Sequence, residues 1–270
     1  MPSLVAAAAA LALALPTLHA DAGGLNPDDI VQAEILPGWR TKSGTQMAAL
    51  HLQLAAHWKT YWRVPGQSGI PPQFNWSGSG NLAGAKIHWP VPQVFMVNGL
   101  QSIGYSEELI LPIEFTPARP GEPVLLRASI DLGVCSDICV PVTLELRADL
   151  GRGTTADPAI TAALQSRPQT ARAAGLTGIT CQIEPIADGL RLTADIAIPS
   201  SGAVEVGVIE LADPTIWVSE PVAERSGQTL RLTSDLVPGS GAPFMLDRSG
   251  VRLTILGTDR AVDLLGCPAG

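Results

Sequence analysis

The chain has 270 residues and a formal net charge of -8 at pH 7; 46% of its residues are hydrophobic and 16% are charged. This length suffices for two ordinary domains, and the apolar content is enough to give each of them a core. The acidic balance, without clusters of Lys and Arg, argues against nucleic acid or an anionic membrane as a partner, because phosphate-binding surfaces are basic.

The N-terminal segment is typical of a secretory signal peptide over residues 1–22. An Ala/Leu-rich run over residues 4–15 ends at Pro16, and "ADA" at residues 20–22 has the small-x-small pattern of a cleavage site, although the first five residues carry no Lys or Arg. The run is shorter than the roughly 20 apolar residues that span a bilayer. We therefore expect an exported, periplasmic protein without direct membrane insertion.

Residues 23–150 show many short strand patterns separated by Gly, Pro, Ser and Asn. The segment "TQMAALHLQL" alternates in polarity, and "KIHWP", "LILPIEF", "VLLRASIDL" and "VPVTLEL" follow it. Short strands at this spacing, without helical patterns between them, predict an antiparallel β-sandwich.

A change of composition near residue 151 indicates a linker over residues 151–175. Asp157 is a suitable N-cap and Pro158 a suitable first residue for one short helix, which Pro168 would end. Strand patterns resume over residues 176–270 and predict a second, smaller sandwich. The predicted fold class is therefore all-β: two immunoglobulin-like antiparallel β-sandwich domains joined by a short helical linker.

Four cysteines allow three disulfide pairings. Cys181 opens the second predicted domain and Cys267 nearly closes it, so a bond between them would close almost the whole domain as one loop. The chain-entropy model gives roughly 4–5 kcal/mol for a loop of this length. A structural disulfide between Cys181 and Cys267 is the interpretation we prefer.

Cys135 and Cys139 each end a predicted strand, and three residues between them suit a hairpin connection. Residues that face each other across antiparallel strands have Cα atoms about 4.5–5.5 Å apart, within reach of a disulfide. Such a short loop contributes little stability. The pair is therefore either a redox-active disulfide or a plain structural staple, and spacing alone leaves both open.

Metal binding is a third alternative for this pair. A zinc site requires four Cys or His ligands, and no second close pair exists, so no metal or other cofactor is predicted. Soft thiolates also suit Cu(I), with Met96 and His88 as the only conceivable helpers. A non-catalytic binding or adaptor module, including a Cu(I)-handling one, therefore remains the alternative to redox chemistry.

The local sequence supplies little to activate either thiol. The turn holds no Lys, Arg or His, Asp137 adds negative charge, and neither cysteine opens a helix. The pair is therefore expected to act as a disulfide that a partner attacks, or as a dithiol that is activated on docking.

Residues 38–146 resemble the N-terminal periplasmic domain of DsbD-type thiol:disulfide interchange proteins, in particular the ScsB-like branch. The segments that carry the resemblance are "HWKTYWRVPGQSGIPPQFNW", "IHWPVPQVF", "GYSEELILPIEF" and "VCSDICVP". The family's cysteine pair corresponds to Cys135 and Cys139. In better-known members of the family the two cysteines are spaced more widely. Full-length members also continue into a membrane unit and a thioredoxin-like domain.

The resemblance implies an immunoglobulin-like fold and a relay of electrons. A membrane thiol:disulfide transporter of the CcdA or DsbD type would donate them, and oxidised thioredoxin-fold proteins of the periplasm would receive them, in cytochrome c biogenesis or copper tolerance. The family also shields its pair with a mobile loop. Leu100, Ile103 and Tyr105 in "VNGLQSIGY" are the candidate cover residues, and Tyr61 is a candidate pocket wall.

Overall fold

The computed structural model describes residues 26–97, 99–151, 153 and 155–270, whose regular structure consists of strands and two short helices. Strands β1–β10 make up what we call the first half. They are β1 Val31–Arg40, β2 Gln46–Leu54, β3 Lys59–Gly66, β4 Gln73–Asn75, β5 Leu82–Ile87, β6 Gln93–Val97, β7 Leu100–Ser106, β8 Glu108–Pro117, β9 Val124–Cys135 and β10 Cys139–Leu150. Helix α1, Pro27–Ile30, precedes them.

The remaining strands make up the second half, which follows helix α2, Pro158–Gln165. They are β11 Gln169–Thr170, β12 Gly178–Pro185, β13 Leu190–Ala197, β14 Glu205–Glu210, β15 Ile216–Val218, β16 Val222–Ser226, β17 Thr229–Pro238, β18 Arg252–Gly257 and β19 Ala261–Leu265.

Each half consists of two sheets. In the first half the strand orders are β1-β2-β8-β5 and β10-β9-β3-β7-β6, with β4 paired to β9. In the second half they are β11-β19-β18-β14 and β12-β13-β17-β15, with β16 paired to β17. The pairs are antiparallel except β11 with β19. The prediction of an all-β, sandwich-type fold is confirmed.

Apolar residues from alternate positions of the strands fill the core of the first half. Leu126, Ile130 and Val134 of β9 point into it, together with Trp62 of β3 and Phe115 of β8. The intervening β9 residues therefore face outward, and the cysteine at the end of this strand belongs to that outward-facing set.

Helix α2 lies against the outer side of the first half. Asp157 accepts hydrogen bonds from the backbone N–H groups of Ala159 and Ile160, as an N-cap does, and Ile160 packs with Met47 and Ala49 of β2. Residues 46–50 of β2 are consequently buried on both faces, whereas Gln53, farther along the strand, is exposed. Helix α2 covers the face of β2 that carries Met47 and Ala49 and that would otherwise face solvent.

The two halves share part of their packing. Val208, Leu256 and Ala261 of the second half belong to the same buried cluster as the core of the first half. Segment 169–175, at the end of the predicted linker, already contributes β11 to a second-half sheet and Ala174 to the second-half core.

No helix within the described residues is long and apolar enough to cross a membrane. The predicted signal peptide, residues 1–22, lies outside the residues that the structure describes.

Candidate functional site

Cys135 and Cys139 face each other where strands β9 and β10 meet. The register pairs Cys135 with Cys139, their Cα atoms are 4.1 Å apart, and their side chains form a disulfide. The backbone N–H of Ser136 donates to the carbonyl of Ile138 at 2.9 Å and closes the turn between them. The hairpin itself therefore brings the two sulfur atoms together.

The two cysteines differ in accessibility. The residue Cys135 is only 1% exposed, whereas Cys139 lies on the exposed side of the turn beside Ile138, whose exposed fraction is 56%. An incoming thiolate therefore reaches Cys139 much more readily than Cys135.

Strand β3 runs beside Cys135 and brings a phenol to the disulfide. Lys59 is the register partner of Cys135, and Thr60 Oγ1 donates to the Gly133 carbonyl at 3.0 Å. The hydroxyl of Tyr61 lies 3.7 Å from Cys139 Sγ. Burial raises the pKa of Tyr61, so the phenol stays protonated at neutral pH and has an O–H to donate.

A Gly- and Pro-rich loop, residues 66–72, covers the outward face of β9 beside the cysteines. Gly133 lies two residues before Cys135, so both face the same way, and a Cβ at Gly133 would lie 2.9 Å from Cβ of Ile70. A Cβ at Gly69 would lie 2.6 Å from the Tyr61 ring. We call Ile70 and the rest of segment 66–72 the cover loop. Its glycines allow it to lie directly on the site.

Of the four candidate cover and pocket residues, the structure brings only Tyr61 to the disulfide. Leu100 is 48% exposed on the β6–β7 hairpin, whereas Ile103 and Tyr105 are buried in the core. The Tyr105 hydroxyl donates to the Pro90 carbonyl at 2.9 Å, and burial raises its pKa well above the ordinary value. The burial of Ile103 and Tyr105 corrects their assignment to a surface cover.

Two features of the site were not predicted from the sequence. The first is the cover loop, for which "GQSGIPP" next to Tyr61 was the available signal. The second is a cation: Lys59 lines an open cleft with His57, Trp58 and Asp137, and its Nζ lies 5.1 Å from the centre of the Phe95 ring. Lys59 is far from the turn in sequence, and only the pairing of β3 with β9 brings it there.

The described residues contain no group of three or more His, Cys, Asp and Glu side chains that could hold a metal ion. His88, one of the two conceivable copper helpers, is held by other partners. Its Nε2 lies 3.2 Å from Glu114, and Arg167 donates to its Nδ1 at 3.0 Å. Met96 is exposed on β6.

Cys181 and Cys267 form the second disulfide, which spans a sequence separation of 86. Both residues are buried, and their Cα atoms are 5.5 Å apart. Arg248 donates to the carbonyls of Cys181 and Cys267 at 3.0 and 3.3 Å. This bond lies in the second-half core, away from the turn of Cys135 and Cys139.

The chain is similar to known proteins both in sequence and in structure. Residues 29–150 match the family described as thiol:disulfide interchange protein DsbD, N-terminal. A solved structure, the N-terminal periplasmic domain of ScsB from Proteus mirabilis, is similar over 91% of this chain and 96% of that chain, with 24% sequence identity and a TM-score of 0.66. No curated protein sequence matches the chain.

The family match covers the segment that contains β1–β10, the cover loop, Cys135 and Cys139. The structural match extends over both halves and shows that they share the fold of the ScsB domain. The resemblance predicted from the sequence is therefore confirmed: residues 29–150 match the DsbD N-terminal family, and the chain has the fold of the ScsB N-terminal periplasmic domain.

Proposed function

We propose that this protein exchanges electrons with other periplasmic proteins through the Cys135–Cys139 disulfide. The observation that carries the proposal is the asymmetry of the pair: Cys139 is exposed, Cys135 is buried, the Tyr61 hydroxyl lies against Cys139 Sγ, and the cover loop lies beside them on Gly133. A DsbD N-terminal segment supports thiol–disulfide interchange as its general activity.

In the reductive step, a thiolate of the electron donor attacks Cys139 Sγ, because that sulfur is accessible. The new bond is a mixed disulfide between the donor and Cys139, and the bond that breaks releases Cys135 as a thiolate. A second donor thiolate then attacks the mixed disulfide at the donor's own sulfur. The donor leaves oxidised, Cys139 leaves as a thiolate, and two electrons have moved to this protein.

The oxidative step is the reverse with a different partner. The Cys139 thiolate attacks a disulfide of the recipient, and Cys135 resolves the resulting mixed disulfide, which restores the Cys135–Cys139 bond and leaves the recipient as a dithiol. The phenol of Tyr61 stabilises the Cys139 thiolate at each stage in which this sulfur is released, because an O–H donates more strongly to an ionised acceptor.

We propose partners of two kinds. A membrane thiol:disulfide transporter of the DsbD or CcdA type would reduce the pair, and oxidised thioredoxin-fold proteins in the periplasm would be reduced by it. The recipient would determine whether the process served is cytochrome c biogenesis or copper tolerance. The exposed Ile138 lies next to Cys139, and Lys59 lines a cleft with Asp137 of the same turn, so that a docking partner meets an apolar contact and a cation there.

The reduction potential of the pair tests this function. Folded protein is equilibrated in glutathione or dithiothreitol buffers, free thiols are alkylated, and mass spectrometry assigns the label to each cysteine. We expect Cys135 and Cys139 to be half reduced between roughly -270 and -120 mV, as in exchanging oxidoreductases. Cys181 and Cys267, buried in the same chain, are the internal control and stay oxidised in that range.

A value below about -300 mV for Cys135 and Cys139 would contradict the proposal, because structural disulfides have such potentials.

A further inference from the structure

A partly buried ion pair links the second half to strand β3, the strand that carries Tyr61. Nε and a terminal nitrogen of Arg63 donate to the two carboxylate oxygens of Glu210 on β14, both at 2.8 Å. The side chains are only 16% and 20% exposed. Arg63 also donates to Thr254 of β18 at 3.4 Å. Bidentate, largely desolvated pairs of this kind fix direction as well as distance.

The ion pair acts on a stretch of β3 that its own sheet holds poorly. The ladder between β3 and β7 pairs Tyr61 with Gly104 and then shifts register before Gly66 pairs with Ser102. On its other side, β3 pairs with β9 where Lys59 faces Cys135. Arg63 lies within this irregular stretch, so contacts outside the sheet have to determine the path of the chain after Tyr61.

The contacts continue from Arg63 to the disulfide. The Arg63 guanidinium lies 3.9 Å from the centre of the Trp62 ring, and Trp62 is fully buried in the core. Tyr61 is the next residue back along the strand, and its hydroxyl faces Cys139 Sγ. Glu210 of the second half therefore reaches the redox pair through three consecutive residues of β3.

We propose that the second half is a positioning element of the redox site: Glu210 holds Arg63, and Arg63 fixes the end of β3 so that Tyr61 stays against Cys139. This inference rests on the function proposed above and assigns part of that function to residues outside the segment that matches the family. Arg63 and Glu210 are positioning residues, since neither contacts the sulfur atoms.

The consequence concerns the reduced state. A correctly placed Tyr61 stabilises the Cys139 thiolate, so the pair is more easily reduced than it would be without the phenol. When the ion pair is removed, Tyr61 loses its fixed position and the reduced form loses part of this stabilisation.

The test measures the equilibrium constant of Cys135 and Cys139 with glutathione at about pH 8.5, where free thiols are half ionised. We expect Arg63→Gln to lower the constant for reduction about tenfold, which for a two-electron couple is about 30 mV. Because Arg63→Gln leaves the partly buried Glu210 without its bidentate partner, the double variant Arg63→Gln/Glu210→Gln is measured as well, and the same shift is expected. Thermal unfolding identifies the variants that remain folded.

Two further variants separate positioning from general stability. In a Tyr61→Phe background the phenol is absent, so Arg63→Gln should have no additional effect on the equilibrium constant, as a double-mutant cycle requires for residues that act in series. Arg231→Gln breaks an exposed ion pair with Asp195 within the second half and should leave the constant unchanged.

An unchanged constant in the folded double variant would overturn the inference, and so would an effect of Arg63→Gln that simply adds to that of Tyr61→Phe. Either result leaves the proposed function intact as long as the unaltered pair has the potential of an exchanging disulfide. A potential below about -300 mV in the unaltered protein overturns the function itself.

Discussion

At the scale of single residues, the site depends on Gly133, which has no side chain. Leu132 and Val134 of β9 face the core, whereas Gly133 faces outward with Cys135. A glycine here lets Ile70 of the cover loop approach the strand closely, and this loop shields the outward face next to the buried sulfur.

We predict that Gly133→Ala displaces the cover loop. The added Cβ would lie 2.9 to 3.3 Å from three side-chain atoms of Ile70, and overpacking of this kind costs about 1–3 kcal/mol. The free energy of unfolding should fall by that amount, and dithiothreitol should reduce Cys135–Cys139 several-fold faster in stopped-flow measurements. Gly84→Ala is the matched control, because its Cβ would meet nothing within 4 Å. An unchanged reduction rate in Gly133→Ala would show that the loop does not shield the disulfide.

At the scale of elements, two histidines join neighbouring parts of the first half and respond to acid in opposite ways. His51 on β2 lies between Glu34 of β1 and Glu108 of β8, at 3.0 and 2.8 Å. Burial alone would lower the pKa of His51, but its hydrogen bonds to the two carboxylates outweigh that effect and raise it. The stabilisation from His51 is therefore fully present below its ordinary pKa of 6.5 and is lost as the pH rises through the raised folded value.

The pKa of His88 is shifted in the opposite direction. Burial, followed by the positive charge of Arg167, lowers its pKa despite the hydrogen bond to Glu114. The neutral ring accepts from Arg167, which follows α2, and thereby ties the helix to the first half. Its stabilisation is present above 6.5 and is lost as the pH falls from there through the lowered folded value.

We therefore predict a crossed pH dependence for two matched variants. His51→Gln should lower the midpoint of thermal unfolding more at about pH 5.5 than at about pH 8, and His88→Gln should do so more at about pH 8 than at about pH 5.5. Calorimetry of the two variants and the unaltered protein at both pH values gives the change in unfolding midpoint for each variant at each pH. Parallel changes in the two variants would contradict the assignment of their charge states.

At the scale of the whole molecule, local patterns predicted the fold well and the site only in part. Alternating strands, and a helix that begins with Asp157 and Pro158, are properties of neighbouring residues and are therefore legible in the sequence. Residues 46–50 of β2 are buried on both faces because a helix more than one hundred residues later covers them. Met47 and Ala49 are apolar on the covered face, but nothing in the strand's pattern indicates which element covers them.

The parts of the site that escaped prediction are those that depend on distant contacts. Ile70 meets Gly133 across 63 residues, and Arg63 meets Glu210 across 147, with nothing in either local sequence to indicate the partner. Ile103 and Tyr105 illustrate the opposite error. They are apolar or aromatic residues next to glycines, which makes them candidates for a cover, but strand β7 turns both side chains into the core.

The two disulfides should affect the stability of the whole molecule unequally. The chain-entropy model gives about 4–5 kcal/mol for the bond of Cys181 and Cys267, which are 86 residues apart, and about 2 kcal/mol for Cys135 and Cys139, which are four apart. We predict that Cys181→Ala/Cys267→Ala lowers the free energy of unfolding by roughly twice as much as Cys135→Ala/Cys139→Ala does.

Because the two halves share part of one core, we expect loss of the Cys181–Cys267 bond to lower the stability of the first half as well. Val208 and Leu256 pack into the first-half cluster, so loosening the second half removes apolar contacts from both. Five of the six tryptophans lie in the first half, which makes tryptophan fluorescence mainly a probe of that half. In urea, Cys181→Ala/Cys267→Ala should therefore shift the fluorescence midpoint together with the midpoint from circular dichroism. If the fluorescence midpoint stays where it is in the unaltered protein, the halves unfold independently, and the second half could not hold β3 in place.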